Sequence, residues 1–144
     1  MNNGIPVKLR QANENDKNFI FSKWLKNYKF SSRFAKRIKN DVFYKWHQLI
    51  LENILRRPNT HVIIAHPTDE PDVNLAFICF EVVDDIKVIH YVFVKPEFRN
   101  FGLGRTLYNY ALNDTVGGYF THWTYPIDAI EPKLIGMIYD PYRI

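Results

Sequence analysis

Apolar and polar residues alternate through Val7, Leu9 and Gln11, which predicts a first strand within Ile5 to Asn13. Asn13 is placed to cap a helix whose first turn holds Glu14 and Asp16, both favoured by the helix dipole. Ile20, Trp24 and Tyr28, with Phe21 and Leu25 beside them, then recur at helical spacing. Residues 31–40, "SSRFAKRIKN", are polar and basic and suit a loop or a short helical piece. Asp41 can cap a second helix, in which Val42, Phe43, Trp46, Leu49, Ile50, Asn53 and Ile54 form a stripe that Pro58 ends.

The pattern then turns to strands. "THVIIAH" (60–66) is short and β-branched, and the turn cluster "PTDEPDVN" follows it. "LAFICFEVV" (75–83) and "KVIHYVFV" (87–94) are two more strands, joined around Asp84-Asp85 as a tight hairpin. Leu103, Leu107, Tyr110 and Ala111 fit a helix that Gly117-Gly118 closes off. "YFTHWTY" (119–125) reads as a fifth strand halted by Pro126, residues 127–134 as a short helix interrupted at Pro132, and "GMIYD" (136–140) as a last strand. The order is β-α-α-β-β-β-α-β-(α)-β, with no repeat and no linker. One α/β domain spanning 1–144 is expected.

Composition narrows the class. A hydrophobic fraction of 47% and an aromatic fraction of 16% support a packed core and exclude a disordered chain. The single cysteine, Cys79, lies in an apolar run, so it reads as a buried residue in a reducing compartment. No segment has the apolar length of a membrane span or a signal peptide, and a cytoplasmic protein is expected. The net charge of +4 conceals an asymmetry: 13 Lys/Arg stand against 4 Asp/Glu through Arg57, and 6 against 11 thereafter. The basic half suits an acidic partner or a phosphorylated ligand, though a solvated helix face explains the same lysines. Basic and aromatic residues interleave in 33–47 as they do in nucleic-acid binders, but helix amphipathicity is the favoured explanation. The five histidines show no metal-ligand spacing, and no metal is expected.

Chemistry concentrates in "VKPEFRNFGLGRTL", from Val94 to Leu107. Pro96 ends the preceding strand because it cannot donate to a ladder. Gly102 and Gly104 allow a close backbone approach, and the helix that starts there directs unpaired N–H groups outward. Arg99 and Arg105 add positive charge, so the loop suits a pyrophosphate. A dinucleotide-binding turn would need a third glycine where Leu107 stands, and a Walker loop would need Gly-Lys-Ser/Thr.

Read whole, the segment resembles the acetyl-CoA-binding signature of the GNAT N-acetyltransferase superfamily. In that signature a valine ends a strand, a proline follows two residues on, and Arg/Gln-x-x-Gly-x-Gly/Ala opens a helix. Val94, Pro96, Arg99, Gly102 and Gly104 hold those places. The order of elements also matches, so the resemblance covers most of the chain and implies a mixed, mostly antiparallel sheet flanked by helices. It implies acetyl-CoA as co-substrate. The pyrophosphate would lie on the loop Arg99, Asn100, Phe101, Gly102, Leu103, Gly104 and Arg105, and the pantetheine would run beside the backbone of Phe93 and Val94 like an added strand. An amine-bearing acceptor, small molecule or protein, would enter among the first helices, with the enzyme a monomer or homodimer.

The proton-handling places depart from the family. The position where many members carry a glutamate falls near Val88, which leaves His90 as the nearest titratable group. The place of the family's tyrosine acid falls at Pro132-Lys133-Leu134, which leaves Tyr125 and His122 as substitutes. A histidine or tyrosine on an apolar strand is more often core than catalyst. These departures keep two further expectations open. One is a GNAT-shaped module that binds within a larger assembly without catalysing. The other is an acyltransferase whose basic half grips an acidic protein or RNA.

Overall fold

The computed structural model describes residues 6–113, 117–124 and 136–144. Its elements run β1 (Val7–Gln11), α1 (Lys17–Ser31), the one-turn α2 (Arg33–Lys36), α3 (Asn40–Arg56), β2 (Thr60–Pro67), β3 (Ala76–Val83), β4 (Ile86–Val94), α4 (Leu103–Leu112), β5 (Gly118–Phe120) and β6 (Met137–Tyr139). The strands form one sheet in the order β1-β2-β3-β4-β5-β6. The first four pair antiparallel, whereas β5 joins β4, and β6 joins β5, in parallel.

Asn13 does start the first helical stretch. Its side chain accepts from Asn15 N at 2.9 Å, and Asp16 accepts from Asn13 N at 2.8 Å, a reciprocal capping box ahead of α1. Arg10 Nη1 and Nη2 also grip Asp16, at 2.7 and 2.8 Å, and tie β1 to that cap. Between the end of α1 at Ser31 and the start of α3 at Asn40, the "SSRFAKRIKN" segment is helical only over α2. Buried Lys29 fixes it, with Nζ donating to the carbonyls of Ala35 at 2.8 Å, Lys36 at 3.2 Å and Ile38 at 2.5 Å. The hairpin at Asp84-Asp85 is as tight as expected, with both residues at positive φ, 50° and 65°.

Two cores sandwich the sheet. Ile20, Trp24, Leu25 and Tyr28 of α1, with Phe43, Leu51 and Ile54 of α3, pack on Ile64, Phe77, Cys79, Tyr91 and Phe93. Leu103, Leu107 and Ala111 of α4 pack on the opposite face, against Ile63, Ile78, Phe80 and Ile89. Burial pushes the Cys79 thiol well up, so it is packing rather than a nucleophile.

Three expectations change here. The α3 stripe is rotated: Phe43, His47, Leu51 and Ile54 face inward, while Val42, Trp46 and Leu49 stay in solvent. Tyr110 is likewise exposed on α4. The fifth strand stops at Phe120, because residues 121–124 leave the ladder after Thr121 N donates to Ile89 O at 3.1 Å. The short helix expected at 127–134 lies outside the described residues. Among the described residues no helix is long and apolar enough to cross a membrane.

Candidate active site

A fork opens where β5 leaves β4. Along β4, Cys79 pairs with Tyr91 but Phe80 pairs with Ile89, so His90 is an extra residue, a β-bulge. β5 follows β4 only at Val88 and Ile89. Beyond the bulge the edge of β4 therefore faces no strand among the described residues. Which groups line that edge follows from peptide geometry. Lys95 N donates inward to Leu75 O at 2.9 Å, so the carbonyl across the same peptide, that of Val94, points outward. Alternation then turns the backbone of Val92 outward and commits that of Phe93 to its partner Phe77. The open edge thus consists of Val92 and Val94. Phe93, expected to offer its backbone, instead packs its ring edge-on to Phe19 and tilted on Phe77.

The edge runs into the glycine loop. Pro96–Phe98 form a short 3₁₀ turn, and Arg99 folds back so that its Nε donates to Val94 O at 2.8 Å. Asn100 and Gly102 take positive φ, 71° and 82°. Gly102 is the N-cap of α4 and has no side chain to cap it. Thr106 N is the first to find a helical carbonyl, that of Gly102 at 3.0 Å, so the amides of Leu103, Gly104 and Arg105 precede the ladder. The space before them is open. A Cβ on Gly102 would meet nothing within 4 Å, and one on Gly104 only Val94 Cγ2 at 4.0 Å. Phe101 and Arg105 are exposed, while Leu103 turns its side chain into the core. An uncapped helix N-terminus beside arginines favours an anion.

On the helical side of the fork, the two expected histidines meet through a third residue. His90 Nδ1 lies 2.9 Å from Thr121 Oγ1, which lies 2.8 Å from His122 Nδ1. The contacts continue both ways. His122 Nε2 lies 2.9 Å from His47 Nε2, on α3. His90 Nε2 lies 2.7 Å from Glu81 Oε1, and Arg57 Nη1 donates to the same oxygen at 2.9 Å and to Arg143 O at 3.1 Å. Tyr28 stacks on His47 and lies edge-on to His122, and Trp24 stacks on Tyr91. The Trp24 indole nitrogen is buried without a hydrogen-bond partner among the described residues. Tyr125 lies outside the described residues.

Burial dominates the electrostatics of this cluster. It lowers the His47 imidazole to about 4 and holds His90 below its ordinary value despite the Glu81 carboxylate. His122 is also held well below its ordinary value, by burial first and then by the neighbouring His47 and His90. Burial alone would raise the Glu81 carboxyl, but hydrogen bonds from His90 and Arg57 and the Arg57 charge outweigh it and lower the group. At neutral pH the cluster is one carboxylate, one guanidinium and three neutral imidazoles.

Sequence reasoning missed Glu81, His47 and Arg57. Glu81 pairs in register with Val88, so a carboxylate stands directly across from the place where the family resemblance left a gap. Its signal was a lone acid in the apolar run "LAFICFEVV". His47 had none beyond its place on an amphipathic helix. No metal-holding group of three His, Cys, Asp or Glu occurs among the described residues.

Comparison with known proteins identifies the family and the fold. Residues 21–118 match the model of the acetyltransferase (GNAT) family. The PaiA N-acetyltransferase of Thermoplasma acidophilum, solved with coenzyme A, superposes with a TM-score of 0.58 at 16% identity, over 76% of this chain and 71% of that one. The aminoglycoside N-acetyltransferase AAC(6')-Iy, also solved with CoA, gives 0.53 at 15% identity, over 97% and 80%. No curated protein sequence matches the chain.

Proposed function

The chain belongs to the GNAT acetyltransferase family, and from that premise we propose that it moves an acetyl group from acetyl-CoA to a primary amine by direct attack in a ternary complex. The two similar structures solved with coenzyme A support the choice of co-substrate. The observation that carries the reading is the uncapped start of α4 with clear space at Gly102 and Gly104, reached from the unpaired edge of β4.

The residues divide the work as follows. The amides of Leu103, Gly104 and Arg105 and the charges of Arg99 and Arg105 receive the diphosphate. Asn100 and Phe101 shape the loop's outer wall, and the outward N–H and C=O groups of Val92 and Val94 hold the pantetheine arm as an added strand. Arg99 must release Val94 O, or share it, when the arm arrives. The fork beside His90, Thr121 and His122 then takes the thioester, where positioning of the amine supplies most of the rate. The attacking amine must lose a proton, and the buried imidazoles are the groups near the fork able to accept one. Tyr125, one residue beyond the described segment 117–124, is the candidate donor to the leaving thiolate. In this reading residues 1–144 act as one domain, in the cytoplasm.

Titration calorimetry with acetyl-CoA tests the reading. Saturable binding is expected, and no heat at about millimolar ligand, an affinity weaker than roughly 4 kcal/mol, would remove it. A thiol-release assay over small primary amines then reads acyl transfer itself.

A further inference from the structure

Proton counting assigns a direction to the buried chain of hydrogen bonds. Ionised Glu81 can only accept, so His90 must donate its Nε2–H to it. A neutral imidazole has one donor and one acceptor, so His90 Nδ1 accepts, and Thr121 donates its hydroxyl hydrogen there. The Thr121 oxygen in turn accepts from His122 Nδ1–H, and His122 Nε2 accepts from His47 Nε2–H. Every proton points toward Glu81. The far end is a lone pair on His47 Nδ1, which has no partner among the described residues. His47 is also the least enclosed of the three imidazoles, at 8% exposure against 1% for His90 and 2% for His122.

We infer that His47, His122, Thr121, His90 and Glu81 form a proton relay, in which His47 Nδ1 takes the proton that the acceptor amine releases and Glu81 receives its equivalent at the other end. The step balances. One N–H bond forms at His47 Nδ1. His47 Nε2–H passes to His122 Nε2, His122 Nδ1–H to Thr121, Thr121 O–H to His90 Nδ1, and His90 Nε2–H to Glu81. Each donor loses one hydrogen as it gains another, and once the amine has reacted the same hops run in reverse from Glu81, so that His47 Nδ1 releases the proton and the starting order returns.

Other groups around the chain fit this role. Tyr28 and Tyr91 pack on His122, and Cys79 lies near Glu81; burial keeps all three protonated at neutral pH, so none supplies a competing charge. Arg57 is the charge that holds Glu81 ionised and so sets the direction of the chain. The relay rests on the acyl-transfer reading above, but its polarity does not.

Nitrogen-15 NMR of the imidazoles at neutral pH tests that polarity without any ligand. Expected are Nε2–H on His90, Nδ1–H on His122 and Nε2–H on His47. An Nε2–H tautomer on His122 would overturn the assignment. Thr121→Val cuts the chain, and with it His47, which does not touch Thr121, should lose its fixed tautomer along with His122. A His47 signal unchanged in that variant also overturns the relay. Turnover with acetyl-CoA and small primary amines should fall about 100-fold in Thr121→Val and recover in Thr121→Ser, the scale of a lost proton-transfer step. Calorimetry with acetyl-CoA should show unchanged binding in both. Thr121→Val at wild-type rate would overturn the relay alone, whereas a wild-type protein that binds no acetyl-CoA would overturn the acyl-transfer reading and leave the tautomers standing.

Discussion

The glycine loop and the imidazole chain flank the same fork and are built in opposite ways. The loop works with backbone: amides of successive residues point into open space, and the side chains that matter most are the ones missing at Gly102 and Gly104. The chain works with side chains from α3, β3, β4 and the segment after β5, packed so closely that His90 and His122 are nearly sealed. A backbone site can be exposed and tolerant, since its groups are fixed by α4. A side-chain network in low dielectric depends on every partner, because each loss leaves a buried group unsatisfied. Ligand binding and stability should therefore respond to different perturbations.

The largest separation is expected from Gly104→Asp. The position is helical with room for a Cβ, and an acid in the first turn complements the helix dipole. Folding should be unharmed or slightly improved. A carboxylate among the same amides, however, competes with a diphosphate and repels it, so acetyl-CoA affinity should fall by about 1000-fold, roughly 4 kcal/mol. Calorimetry beside a thermal melt reads both halves, and retained affinity would move the cradle elsewhere.

Acid should do the reverse. His47 and His122 are held neutral by burial, so the unfolded chain binds protons below its ordinary histidine value that the folded chain refuses. The stability this neutrality confers is complete above about pH 6.5 and is lost as pH falls toward the folded value. For His47, from 6.5 to about 4, the loss is about 3 kcal/mol. Glu81, lowered in the folded state, adds a loss only at lower pH, below its own ordinary value. Urea midpoints between pH 7 and 4 should drop steeply, and His47→Gln should flatten that drop.

The same contrast explains what could be read from the sequence. Val94, Pro96, Arg99, Gly102 and Gly104 lie within eleven consecutive residues, and the demand for positive φ and a strand stop shows in residue type alone. Asp84-Asp85 was legible for the same reason. The chain joins residues up to 75 positions apart, and apart from Glu81, a lone acid in an apolar run, none of them is unusual where it stands. His47 sat on a helix with apolar residues on several sides. Without the sheet, nothing distinguished the stripe of Val42, Trp46 and Leu49 from that of Phe43, His47, Leu51 and Ile54, and only the second is buried. Phe93 could not be told from Val94 in the sequence, because which of two adjacent backbones faces outward depends on how β4 pairs with β3, a property of two strands in register.

Glu81→Ala perturbs the chain alone. It leaves the His90 Nε2–H without its acceptor in a sealed site, while Arg57 keeps Arg143 O and its partly exposed guanidinium can reach solvent. A cost of about 2 kcal/mol is expected, mostly from the buried imidazole donor. Acetyl-CoA should still bind within twofold, because the glycine loop shares no hydrogen bond with Glu81. A melt lowered together with lost binding would mean that the two regions are coupled through β4.

The smallest effect is also the sharpest on the loop. Gly104→Ala adds one methyl at a helical position where the nearest atom is 4.0 Å away, so nothing in the protein must move. Removing a glycine from a helix should stabilise the fold by up to about 1 kcal/mol. If the clear space serves only the turn of the chain, ligand affinity should not change. If a diphosphate rests on the Gly104 amide, the methyl stands at the surface it must approach, and affinity should fall about tenfold, or 1.4 kcal/mol. A more stable protein that binds acetyl-CoA less well is the outcome expected of a site made of backbone, where the absent side chain belongs to the ligand's shape rather than to the fold.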